Sequence, residues 1–392
     1  MTIKNNWEKN LIFLCVSQFF YRAGSRSLLP FLPLYIKSFG TINNSQAAVW
    51  SGWILSIPFI VSFLTTPFWG SIGDKYGRKL SAILAVTGFI LSQYAMGLAT
   101  SLTFLLLASS LQEILGGAYP AAVSLTAANS PEEKTTDALS YLQFSNALGN
   151  IVGPILGGLL ADAFGFRMVF FIVATSVLVF SFPILFLIDE NVVSKENQFH
   201  SMVKNLRYFI QRKNLILYAI LLLAYTLSIT IMRPSFALFV QSNFNESKNY
   251  ASTAGILLGI LGAASSLSTL FLPWLNRKFN IEKNIFVTFI SAGILFLFLH
   301  LPFNIYLFAI IIFLTGIFTG IILPLVYSLI SFETCSKRKA GVMGIGSSFQ
   351  MIGNLLGPVV AGYLVFAFGI GFPFIASGSI LLIAIFIYKR MV

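Results

Sequence analysis

Residues 149–158 read G-N-I-V-G-P-I-L-G-G, and residues 353–362 read G-N-L-L-G-P-V-V-A-G. The offset is 204 residues, the step from Pro154 to Pro358. The same step carries Pro30 to Pro234, Gly116 to Gly320, Pro120 to Pro324, Ser124 to Ser328 and Gly165 to Gly369. One half of the chain is thus a copy of the other, which makes the halves structural repeats about a shared axis. Function is expected in what they enclose.

The chain has 392 residues, 57% hydrophobic and 10% charged. No soluble core needs that much apolar surface, so the composition points to a polytopic membrane protein. The apolar runs are about 20 residues long, the length of a spanning helix rather than of alternating barrel strands. Twelve helices are expected, near 11–37, 47–69, 79–99, 102–126, 137–162, 167–188, 214–241, 252–275, 283–301, 304–331, 340–366 and 371–389. The fold class that follows is an all-α membrane protein, with twelve transmembrane helices in two pseudo-symmetric six-helix bundles. The expected organisation is a first bundle over 1–188, a linker over 189–213 and a second bundle over 214–392. The linker is polar, carries both signs of charge, and holds an apolar stripe at Val203, Leu206, Phe209 and Ile210 that suits a surface helix over 202–211.

A net charge of +12 suggests nucleic acid in a soluble protein, but here it is read loop by loop. With a cytoplasmic N-terminus, only Lys37, Arg167 and Lys248 fall outside and Arg22, Arg26 and Arg233 within helices, so the other Lys and Arg lie inside. The basic charge then sets topology, and no nucleic-acid partner is implied. The expected setting is the cytoplasmic (inner) membrane, multi-pass, with both termini cytoplasmic. Partners are the lipid bilayer and a small-molecule substrate, and the chain is expected to be a monomer. Two cysteines, Cys15 and Cys335, make no disulfide framework, and the long first apolar stretch with its two arginines is unlike a cleavable signal. No metal site is expected.

Between helices 2 and 3 stands G-S-I-G-D-K-Y-G-R-K-L-S-A-I, residues 70–83. Its glycines permit a tight turn and its bases anchor the inner face, yet positive charge alone does not explain Asp74. The stretch resembles the signature of the major facilitator superfamily, G-x-L-A-D-R-x-G-R-K-x-x-x-L, with Gly70, Asp74, Gly77, Arg78 and Lys79 in place. The resemblance implies a conformational gate, in which Asp74 docks near the start of helix 11 after Lys337, Arg338 and Lys339. The matching loop of the second half has Arg277 or Lys278 at that place.

The opening stretch resembles the antiporter motif of the twelve-helix drug:proton antiporter branch, with Gly149, Gly153, Pro154, Gly157 and Gly158 in place. Gly149, Gly153 and Gly157 share one helix face and allow a neighbour close, while Pro154 removes a backbone donor. The link to efflux, antiport and multidrug resistance comes only from the resemblance. So does one departure: relatives carry an arginine in helix 4 where this chain has Ser109.

In place of that arginine, Glu113 lies one turn further along helix 4, and helix 1 carries Arg22 and Arg26 on one face with Gln18. At about 1.5 Å per residue these groups sit near the bilayer midplane, where charge is costly unless paired or wetted. Arg233, Tyr119 and Asn146 extend the expected substrate and coupling site; Tyr21, Gln143, Tyr225, Tyr327, Gln350 and Asn354 are weaker members. The reading that keeps this cluster purely structural is an internal ion pair of Glu113 with one arginine.

The expected function is secondary active export, proton-coupled, of a small amphipathic or anionic compound by alternating access. No cofactor is expected; the proton gradient is the expected energy source. An organic-anion or siderophore-type carrier without proton antiport, and a non-transporting sensor, are the alternatives. An enzyme is not expected, because the only histidines are His200 and His300 and no H-E-x-x-H or G-x-S-x-G occurs.

Overall fold

The structure is a computed structural model that describes residues 6–115, 118–181, 199–244, 249–301, 303–335 and 338–391; certain side chains within these, including those of residues 70–75 and 118–120, lie outside the description. In chain order the helices are α1 (Asn6–Ser27), α2 (Leu32–Lys37), α3 (Asn44–Tyr76), α4 (Arg78–Leu98), α5 (Leu102–Ile114), α6 (Ala118–Asn129), α7 (Thr135–Phe164) and α8 (Phe166–Phe180). There follow α9 (Phe199–Ile210), α10 (Lys213–Asn243), α11 (Tyr250–Lys278), α12 (Ile281–Phe298), α13 (Ile305–Glu333), α14 (Lys339–Phe368) and α15 (Phe372–Met391). Among the described residues nine helices are long and apolar enough to cross a membrane, and Leu102–Ile114 and Phe166–Phe180 are shorter apolar helices. No strand occurs among the described residues.

One expected span is broken. Helix 1 ends at Ser27, passes through a 3₁₀ turn at Leu29–Phe31 and resumes as α2. Pro30 and Pro33 cannot donate to the preceding turn, which accounts for the interruption. Helix 4 is described as α5 and α6 on either side of residues 116–117, which lie outside the described residues. The expected end of helix 6 near 188 falls outside the described residues.

Contacts divide the chain into two compact units. The first holds Met1–Ile42, Trp53–Lys195 and Asn245–Gly259; the second holds Asn43–Gly52, Glu196–Phe244 and Ile260–Val392. The start of α11 therefore groups with the first unit and the start of α3 with the second.

In the first unit α1 runs along α7, and α4 packs against α5, α6 and α8. The Tyr35 hydroxyl donates to the Met96 carbonyl at 2.9 Å, and Arg167 donates to the Ala99 carbonyl at 2.9 Å. Both bind carbonyls at the end of α4, where a cation is also favoured by the helix dipole. The Ser181 hydroxyl donates to the Ser17 carbonyl at 3.0 Å, tying the end of α8 to α1.

In the second unit α10 runs along α14 and α15, and α12 lies against α13 and α15. Ser228 and Ser377 donate to each other's backbone carbonyls at 2.8 and 2.7 Å, a reciprocal clasp between α10 and α15. Phe236, Phe239, Phe308 and Phe374 pack together in the interior, so part of the abundant phenylalanine fills gaps between helices. The linker helix α9 docks on this unit. Phe209 is buried and stacks on Phe349, and Tyr208 lies between the guanidinium groups of Arg212 and Arg338 at 4.4 and 4.8 Å. The expected stripe is buried only in part, since Leu206 and Ile210 stay exposed, and Val203 lies outside the described side chains.

Close approach is the recurring device. A methyl group on Gly157 would overlap the Ser27 carbonyl, whereas one on Gly344 would meet nothing within 4 Å. Gly157→Ala is therefore expected to cost about 2 kcal/mol through overpacking, and Gly344→Ala to be neutral or stabilising. Thermal unfolding of the two variants in detergent checks the contrast.

Candidate functional site

The glycines of the opening stretch hold the membrane arginines. A methyl on Gly149 would meet Arg22 Cβ at 2.8 Å, and one on Gly153 would meet the Ala23 carbonyl at 2.5 Å and Arg26 Cβ at 2.9 Å. With Ser27 against Gly157, four successive contacts set α1 on α7 in parallel register. Pro154 has no N–H, so the Asn150 carbonyl one turn earlier lacks its usual intrahelical donor. The Asn150 side chain beside it accepts from Arg26 Nε at 3.1 Å.

The second repeat makes the same contact with different chemistry. Gly353 lies against Thr226 and Gly357 against Thr230, at the repeat positions of Arg22 and Arg26. The Thr230 hydroxyl lies within hydrogen-bond reach of the Gly353 carbonyl at 2.9 Å and of its own helix at Thr226 O at 2.7 Å. Where the first copy has two cations, the second has two hydroxyls satisfied by backbone.

Glu113 lies near the end of α5. Its carboxylate accepts from Gln112 at 3.3 Å and from the Ser62 hydroxyl. Thr65 donates to the Glu113 carbonyl at 2.8 Å and Trp69 to the Ile114 carbonyl at 2.9 Å, fixing this end of α5 on α3. The charges of Glu113, Arg22 and Arg26 all act on the Tyr21 hydroxyl, whose ring packs on Phe89 at 4.7 Å. Glu113, Arg22 and Arg26 thus lie within one unit, Glu113 held by Ser62 and Gln112 and the two arginines seated on α7.

Two buried amides lie on the same helix pair. Gln18 is 2% exposed and Asn146 3% exposed. Asn146 Nδ2 donates to Leu142 O at 2.9 Å, but Asn146 Oδ1 and Gln18 Oε1 accept no hydrogen bond from protein. A buried acceptor left so costs about 1–3 kcal/mol, which marks both as places for a further donor. Ser109 is buried, and its hydroxyl faces the Leu106 and Ile54 carbonyls at 2.8 and 3.3 Å. Its side chain is satisfied by backbone. Arg233 lies on α10 in the second unit, where its charge acts on Tyr225. The Tyr119 side chain lies outside the described residues.

Residues 14–331 and 290–391 match the Major Facilitator Superfamily. The chain belongs to that superfamily. The multidrug resistance proteins MdtG of Salmonella schwarzengrund and Salmonella typhimurium are each 30% identical over 396 aligned residues, covering 98% of this chain and 96% of theirs. Among solved structures, the nucleoside transporter NupG superposes with a TM-score of 0.79 at 14% identity, covering 97% of this chain and 98% of NupG. A bacterial homologue of the human lysosomal transporter Spinster does so with a TM-score of 0.78 at 16% identity, covering 98% of this chain and 96% of the homologue. These likenesses show the twelve-helix fold of the superfamily, and the chain is a membrane transporter of it.

The superfamily's signature loop is partly described. Gly77 has φ +100° at the start of α4, a conformation that a side chain would strain, and Arg78 donates to the Ser124 carbonyl at 3.0 Å at the end of α6. Lys79 is half-buried on α4. The side chains of Gly70 and Asp74, and Lys337, lie outside the described residues.

The structure adds a residue that the sequence reading passed over. Asp162, near the end of α7, accepts from the Ala251 and Ser252 N–H groups at 3.3 and 2.6 Å, so a carboxylate caps the first turn of α11. Gly158 lies against the Ala251 carbonyl and Gly255 against that of Pro154, continuing the contact. The available signal was the repeat itself, which puts Phe366 opposite Asp162. Asp162→Ala is expected to weaken the cap by about 1 kcal/mol. Hydrogen–deuterium exchange should then speed up at residues 251–253 and stay unchanged at the start of α10.

Proposed function

We propose that the chain is a proton-coupled exporter of small amphipathic or anionic compounds, working by alternating access in the cytoplasmic membrane. The observation that carries this reading is the seating of Arg22 and Arg26 on Gly149 and Gly153, with Glu113 acting on the same Tyr21 hydroxyl. The printed role of the MdtG relatives in multidrug resistance supports export. In this reading both termini are cytoplasmic, as the distribution of Lys and Arg favours, and the working unit is a monomer without enzymatic activity. Arg22 and Arg26 attract the anionic part of a substrate. Gln18 and Asn146 accept hydrogen bonds from it, and Arg233 and Tyr119 contribute further contacts. Glu113 takes up and releases the coupling proton, and Asp74 with Gly70, Gly77, Arg78 and Lys79 works the gate. Asp162 would have to release α11 once in each cycle.

A second reading, an organic-anion carrier without proton antiport, is favoured by Ser109, which replaces the arginine of relatives and is satisfied by backbone. Everted membrane vesicles with an imposed pH gradient separate the two. Export driven by the gradient in the parent and lost in Glu113→Gln, with substrate binding retained, supports proton coupling; gradient-independent transport supports the carrier.

The repeat supplies its own control for the arginines. Arg26→Thr places the residue of position 230 on the equivalent glycine, so the variant should insert and fold. Loss of a charge-assisted hydrogen bond should weaken binding of an anionic substrate by about tenfold or more. Unchanged affinity in Arg26→Thr and Arg22→Thr, measured on purified protein, would leave the arginines a structural role only.

A further inference from the structure

Within the first unit, the N-terminal halves of α1 and α7 enclose an open groove of about 800 Å³, which ends at Phe19, Phe20 and Leu148, within a turn of Arg22 and Gly149 in sequence. Its body is apolar, formed by Ile12, Cys15 and Phe19 of α1 and Tyr141, Phe144 and Leu148 of α7. Tyr141 and Phe144 are each 62% exposed, although aromatic rings of this size are the usual material of a membrane helix interface. One end of the groove is charged: Glu8, Lys134 and Asp137 form its rim.

Length and charge together specify an occupant. From Glu8 to Phe20 the groove follows twelve residues of α1, about 18 Å at 1.5 Å per residue, against about 15 Å for one leaflet of hydrocarbon. The charged end therefore lies at headgroup level when the apolar end lies near the midplane. Lys134 Nζ and Asp137 Oδ2 are 3.7 Å apart with both side chains more than half exposed, a pair weak enough to open toward a ligand. Two carboxylates and one lysine complement a headgroup with one N–H-bearing ammonium and one phosphate.

We propose that this groove binds a phospholipid with a primary-ammonium headgroup, that is, a phosphatidylethanolamine, with its ammonium on Glu8 and Asp137 and its phosphate on Lys134. An anionic headgroup would meet the two carboxylates unfavourably, and a quaternary ammonium has no N–H to donate. The site bears on transport through α7. Ile151 and Ile155 lie seven residues beyond Phe144 and Leu148 on the same helix face, and Ile155 packs where Gly259 of α11 leaves room. The lipid thus lies on the face of α7 that α11 uses further along.

Cys335→Ser leaves Cys15 as the sole thiol of the chain, inside the groove. The full-length variant is placed in nanodiscs of phosphatidylglycerol mixed with either phosphatidylethanolamine or phosphatidylcholine, and Cys15 is labelled with pyrenyl maleimide. Labelling is expected to be slower in the phosphatidylethanolamine membrane by about fivefold, the discrimination that two exposed charge pairs provide. Adding Glu8→Gln and Asp137→Asn, both surface changes, should abolish the difference while leaving the rate in phosphatidylcholine unchanged. Equal rates in the two membranes overturn the proposal, as does a difference that persists in the charge-neutralised variant. Stronger protection of Cys15 by tetraphenylphosphonium than by phosphatidylethanolamine overturns it too, by assigning the groove to a lipophilic cation.

Discussion

The contact of α1 with α7 is the constraint from which the rest of the site follows. Lipid tails are as apolar as leucine, so helices in a membrane associate through close packing rather than through exclusion of water. Gly149, Gly153 and Gly157 supply that packing, and each lies against a backbone or Cβ atom of α1 at a distance that a side chain would forbid. The arginines belong to the same contact. Because Arg22 and Arg26 rest on glycine through their Cβ atoms, the first carbon of each side chain is fixed. A charge in the membrane interior is costly, and fixing where it emerges makes the compensation specific: Asn150 accepts from Arg26 at 3.1 Å.

Comparison of the two repeats separates scaffold from chemistry. The second copy keeps the glycines, the proline and the close approach, but its partners are Thr226 and Thr230, which cost little in an apolar setting because their hydroxyls reach backbone carbonyls. Packing alone therefore does not require arginine at these positions. The same asymmetry appears at Asp162, which is phenylalanine in the second copy, and at Asp74, which is Lys278 there. The acids at 74 and 162 and the arginines at 22 and 26 are thus particular to the first copy, Asp162 as the cap of α11.

Much of the fold was legible because the signals are local or periodic. Apolar runs gave the spans, and the proline-anchored repeat gave matching helix pairs, α1 on α7 and α10 on α14. The break at 28–31 escaped because hydropathy does not register the loss of a single turn, although Pro30 and Pro33 carry that information. For the site, the arginines and glycines were each evident as residue types, but Arg26 and Gly153 are 127 positions apart. Their contact depends on the register of α1 against α7, which no local pattern encodes. Asp162 was passed over for a related reason: its partners are backbone N–H groups, which have no signature in sequence. The linker stripe shows the opposite error, since an amphipathic pattern fixes a helix but not what covers it, and Leu206 and Ile210 remain exposed.

The serine at position 109 becomes intelligible in this frame. The resemblance to the drug:proton antiporter branch implies an arginine at this position of helix 4, one turn from Glu113, so that cation and acid would share a helix. Here Ser109 closes on backbone carbonyls of α3 and α5, which leaves no room at that point for a second charged group to be satisfied. The cations instead sit on α1, in the same unit. That arrangement alters what a movement can do. Charges on one helix keep their spacing when the helix moves, whereas charges on two helices change theirs with any shift of α1 against α5. In the proposed cycle, with α1 held to α7 by glycine contacts, displacement of the α1–α7 pair would change the potential at Glu113. The antiporter-type glycines would then transmit helix motion to the one acid of the cluster, linking the packing motif to protonation by electrostatics rather than by shape alone.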